Sequence, residues 1–85
     1  MNTPKHIRCY DNGGKTCDRY TVVYMKEPRS NGLFNARAMN HQPFHPQGFG
    51  QSTTAKLGRH LGKRIKFSAL PEDCRKLVMQ DLAIK

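Results

Sequence analysis

Arg19-Tyr20-Thr21-Val22-Val23-Tyr24-Met25-Lys26 is the segment from which the fold can be read. It is rich in β-branched and aromatic residues, and it alternates Tyr20, Val22 and Tyr24 against Thr21, Val23 and Met25. A period of two in such residues specifies a strand. Both sets are apolar enough for burial on both faces, so this strand belongs in the centre of a sheet.

Working upstream, Asp11-Asn12-Gly13-Gly14-Lys15 supplies residues that accept positive φ and predicts a hairpin. Before it, His6 to Tyr10 reads as a strand with Ile7 and Cys9 on one face, Arg8 and Tyr10 on the other. Downstream, Pro28 and Asn31-Gly32 mark a second turn. Leu33 to Met39 then alternates as a third strand, completing a meander. From Asn40 no regular period survives, and Pro43, Pro46, Gly48 and Gly50 break any element, so 40–55 is expected to be a long irregular loop. Ala55 to Leu61 has the makings of a helical turn weakened by Gly58 and Gly62, and Lys63 to Phe67 those of a short fourth strand with a basic outer face.

The chain closes with a helix expected over 71–83. Pro71 suits the first turn, Glu72 and Asp73 complement the positive end of the dipole, and Cys74, Leu77, Val78 and Leu82 form one apolar stripe. Arg75, Lys76 and Gln80 fall on the water side. The expectation is an α+β domain covering 1–85, with residues 1–5 flexible. A small antiparallel sheet, a three-stranded meander plus a short fourth strand, carries the C-terminal helix packed on one face.

At 85 residues, with 36% hydrophobic residues and no Trp, the chain can build only a thin core. Self-association through exposed strand edges, a homodimer, would help it. No apolar run approaches bilayer length, and Met1 to Gly14 lacks the apolar core of a signal peptide, so a cytoplasmic location is expected and no membrane partner. Cys9, Cys17 and Cys74 are an odd number and read as small buried thiols; a Cys9–Cys17 bridge is disfavoured in a reducing cytosol.

Charge is the main functional signal. The formal net charge is +9, and no Asp or Glu occurs between Glu27 and Glu72. That interval holds Arg29, Arg37, Lys56, Arg59, Lys63, Arg64 and Lys66, with His41, His45 and His60. A surface of one sign concentrates polyanions, nucleic acid above all. Arg59, Lys63, Arg64 and Lys66 are therefore expected to bind phosphates, with Arg37, Lys56 and His60 in support. Phe44 and Phe49, in the loop, are expected to stack on unpaired bases. The plainer reading of the same charges is a solvated face that keeps a small protein soluble.

Other patterns are weaker. Gly48-Phe49-Gly50 resembles the centre of an RNA-recognition strand motif, but Gln47 and Gln51-Ser52 depart from its flanks. His41 and His45 have a ligand-like spacing, yet their distance from Cys9 and Cys17 does not match a zinc finger. Gly58 to Arg64 fails as a phosphate-binding loop because Arg64 stands where Ser or Thr should hold magnesium. Asp11 and Asp18 flank the Gly-Gly turn and offer a carboxylate pair for acid/base or metal chemistry with His41 and His45; turn-capping is the commoner role. No cofactor is expected.

Tyr10-Asp-Asn-Gly-Gly14, Asp18-Arg-Tyr-Thr-Val-Val23, Pro43-Phe-His-Pro-Gln-Gly48, His60-Leu-Gly-Lys-Arg-Ile65 and Leu70-Pro-Glu-Asp-Cys74 together resemble small proteins of unknown function encoded by phages, prophages and other mobile elements. The resemblance spans about 9 to 82 and implies a bacterial, phage-linked setting; it supplies no site residues. Three readings follow in order: a non-enzymatic nucleic-acid-binding protein, for DNA or RNA; an effector that binds and inhibits a host protein; and a small metal-dependent hydrolase around Asp11, Asp18, His41 and His45.

Overall fold

The computed structural model describes residues 4–16, 18–46, 48 and 50–84. Five strands form one antiparallel sheet: β1 (Ile7–Asp11), β2 (Tyr20–Pro28), β3 (Leu33–Met39), β4 (Gly50–Lys56) and β5 (Lys63–Ile65). Their order across the sheet is β4-β3-β2-β1-β5, followed in the chain by helix α1 (Glu72–Ile84). The α+β architecture with one helix on one face is as expected, though the sheet has five strands where three and a short fourth were anticipated.

β2 is central, with Tyr20, Thr21, Val22, Val23 and Tyr24 all buried. The β1–β2 connection is built by side chains. Asp11 Oδ1 accepts from the Gly13 amide at 2.7 Å, and Asn12 Oδ1 accepts from the amides of Gly14 and Lys15 at 2.9 and 3.0 Å. These short polar groups satisfy turn amides that no strand can reach. Between β2 and β3 the Arg29 amide donates to the Leu33 carbonyl at 2.6 Å, with Asn31 at φ 61°.

The extra strand lies inside the expected irregular loop. β4 pairs with β3 without a break from Leu33↔Lys56 to Met39↔Gly50. Its residues are exposed on both sides apart from Ala55. A strand wet on both faces carries no hydrophobic alternation, which is why the pattern predicts a loop up to residue 55. The expected helical turn over 55–61 shrinks to a 3-10 turn at Arg59–Leu61, since Ala55 and Lys56 belong to β4.

Each face has its own core. On one, α1 seats Cys74 and Val78 against Cys9, Tyr20, Val22, Tyr24 and Met39, with Phe67 and Leu70 closing the end. Removing each fully buried Val or Met side chain from water contributes roughly 1.5–3 kcal/mol. On the other face, Tyr10, Val23, Ala36 and Ala55 lie under Leu61, flanked by Met25, Phe34 and Leu57. Residues 57–62 thus cross that face as a strap joining the two edge strands. Ala36 and Ala55 are small where the strap's leucines come down.

The segment before β4 is tied to the helix. The Cys74 thiol donates to the Asn40 carbonyl at 3.1 Å. A Cβ at Gly50 would stand 2.9 Å from both Pro43 and Leu77, so these two side chains close over the start of β4.

Candidate nucleic-acid interface

β5 joins the sheet through a glycine. Gly62 has φ 95°, and a Cβ there would lie 2.4 Å from the Asp11 carbonyl oxygen. Only glycine lets the strap come this close to the end of β1. The register then runs Asp11↔Lys63, Tyr10↔Arg64 and Cys9↔Ile65. After Ile65 the chain leaves the edge, and the 3-10 turn Phe67–Ala69 drops Phe67 into the helix-side core.

That departure leaves Ile7 and Arg8 of β1 without a β5 partner. The gap is a cleft of about 510 Å³ lined by Pro4, Ile7, Arg8, Cys9 and Arg64 to Ser68. Arg8, Arg64 and Lys66 bring positive charge to its walls; Ile7, Ile65 and Phe67 give it an apolar side, and among the described residues no carboxylate lines it. Arg64 approaches Cys9 closely enough to pull that thiol down, against the stronger effect of burial, which pushes it up to about 11.

Three of the carboxylates are paired away from the cleft. Among the described residues, ion pairs join Arg19 to Asp11, Arg37 to Asp81 and Lys76 to Glu72, and none takes in Arg8, Arg59, Lys63, Arg64 or Lys66. Arg19 donates to both Asp11 oxygens at 2.8 and 3.1 Å, and this, with the Gly13 amide, holds that carboxyl below its usual range.

The residues expected to bind phosphate are dispersed. Lys63, Arg64 and Lys66 share the β5 edge and are exposed. Arg59 and His60 are exposed on the strap, the imidazole folded over Gly58. Lys56 ends β4, with three strands between it and β5, beside Gly32. Arg37 leaves the set. Its side chain is only 19% exposed and its guanidinium is bound to Asp81 on the helix side of the sheet. Phe44 is exposed, while Phe49 lies outside the described residues. Arg8 is the addition. Its place on the Arg8/Tyr10 face was legible, but its proximity to Arg64 depends on a pairing between strands more than fifty residues apart.

The hydrolase reading gains nothing here. Asp11 caps the turn and pairs with Arg19, and Asp18 accepts a hydrogen bond from the Thr16 hydroxyl. Among the described residues no three of His, Cys, Asp or Glu gather at a spacing that would hold a metal. Cys17 lies outside the described residues; Cys9 and Cys74 are buried free thiols. Also among the described residues, no helix is long and apolar enough to cross a membrane.

No protein-family model, no curated protein and no solved structure matches the chain.

Proposed function

We propose that the protein is a small, non-enzymatic nucleic-acid-binding protein of phage-linked origin, contacting phosphates along the β5 edge. The observation that carries this reading is the cleft where Arg8, Arg64 and Lys66 meet with no carboxylate among the described residues that line it. Lys63, on the same edge, and Arg59 and His60, on the strap, extend the positive field. Cations free of internal partners release condensed counterions when they neutralise phosphates, which drives association. The apolar side of the cleft favours an unpaired nucleotide, whose base has a face to bury.

The test is fluorescence anisotropy of labelled single- and double-stranded DNA and RNA across a salt series. Binding that persists near physiological salt with a slope of several ion equivalents, strongest for one form, supports the reading. Weak binding, equal for all four probes and gone at that salt, reduces the edge to generic charge. Affinity capture of a host protein would then be the informative experiment.

A further inference from the structure

The two edges of the sheet are opposites. β5 is short and carries Lys63 and Arg64, with Lys66 following. Like charges of this kind prevent an edge from pairing with its own copy. Among the described residues, β4 has little of that protection beyond Pro43 and Leu77 at its start. It runs straight through Gly50-Gln-Ser-Thr-Thr-Ala-Lys56 with no proline, no register shift against β3 and a single charge at its last residue. Five successive residues, Gly50 to Thr54, are exposed, and among the described residues no strand pairs with its outer side.

From this asymmetry we infer that β4 pairs antiparallel with β4 of a second copy, about a two-fold axis through Thr53. Antiparallel pairing of identical strands requires an axis perpendicular to the sheet, so the product is one continuous ten-stranded sheet with both helices on the same face. Centring on Thr53 uses the full length of the strand. It sets Thr53 against Thr53 of the second copy, Ser52 against Thr54, Gln51 against Ala55 and Gly50 against Lys56. Threonine pairs are favourable across strands. No charge meets its like, because the two Lys56 side chains fall at opposite ends of the seam. The partner is a second copy rather than a foreign strand because this sequence, uncharged up to its terminal Lys56, is compatible with itself, whereas the β5 edge repels itself.

The test uses the full chain and needs no nucleic acid, so it stands or falls apart from the function proposed above. Sedimentation equilibrium from micromolar to near-millimolar concentration is expected to show a monomer–dimer equilibrium. Thr53→Lys opposes like charges at the axis and is expected to weaken the dimer about tenfold or more, with unchanged circular dichroism and, at concentrations where both chains are monomeric, an unchanged unfolding midpoint. In a Cys17→Ser background, Thr53→Cys is expected to give a disulfide dimer under mild oxidation, and Lys63→Cys on the other edge is not. A monomer throughout the range, a Thr53→Lys chain that still dimerises, or equal cross-linking at both positions would overturn the inference.

Discussion

Asp81 is the carboxylate that α1 carries into the interior, at 9% exposure. It accepts from the Tyr24 hydroxyl at 2.5 Å and from Arg37 Nε at 2.9 Å, with a second bond from Arg37 Nη2. Its place is legible in the sequence: Cys74, Val78 and Asp81 share one helical face, and an acid on an apolar stripe needs a partner. Which partner could not be known, because Arg37 and Tyr24 lie on different strands. Breaking the pair leaves charge buried without compensation, so Asp81→Asn is expected to lower stability by about 3 kcal/mol in urea unfolding. Replacing the group together, as Tyr24→Phe, Arg37→Met and Asp81→Leu, is expected to recover most of that loss. Two thiols give a pH dependence. Burial pushes Cys9 up to about 11 and Cys74 up to about 12 from an ordinary 9.0. A raised acid binds its proton more tightly when folded, so the native state keeps its full share of stability below the unfolded value. Urea midpoints are therefore expected to hold up to about pH 9 and to fall progressively through the folded values of the thiols.

At the scale of elements, β2 and β4 show what patterning can convey. β2 is buried on both faces, and its β-branched and aromatic alternation states as much. β4 is held chiefly by backbone pairing to β3, with only Ala55 reaching a core, and pairing leaves no trace in side-chain chemistry. The strap is the less obvious device. Leu57 and Leu61 give the helix-free face its cover, and Gly62 permits the landing beside Asp11. Gly62→Ala forces a side chain into a backbone region it rarely enters and a contact it cannot make. A loss of about 3 kcal/mol is expected, read as a lower thermal midpoint. Gly13→Ala makes a control for strain alone: it too has positive φ, 78°, but nothing lies near its Cβ position, so a smaller loss is expected.

Across the whole molecule, charge is sorted by edge. Neutralising Arg8, Arg64 and Lys66 together with glutamine is expected to reduce the salt slope of nucleic-acid binding by about 2–3, at roughly 0.9 or less per phosphate contact. Lys56→Gln, at the far edge, is expected to leave the slope nearly unchanged, although in sequence Lys56 belongs to the same basic run. Anisotropy titrations of the two variants at several salt concentrations distinguish site from overall charge. If β4 forms the seam of a dimer, the basic edges become the two ends of the ten-stranded sheet, roughly 40 Å apart before twist is counted. Such a particle is expected to bridge two nucleic-acid segments, and Thr53→Lys to abolish bridging while leaving each edge able to bind.

Local chemistry was sufficient for the meander, the hairpin turn, the C-terminal helix and the excess of positive charge, because period, turn residues and composition act over a few neighbouring residues. Contacts distant in sequence lay beyond it. Only the assembled sheet put Arg8 beside Arg64, bound Arg37 to Asp81 and sent Lys56 to the opposite edge from Lys63. The physical reason is that strand neighbours are selected by backbone hydrogen bonding and by burial summed over the whole chain. Two residues seven apart in sequence can therefore end at opposite sides of a sheet, while two residues fifty-six apart share one cleft.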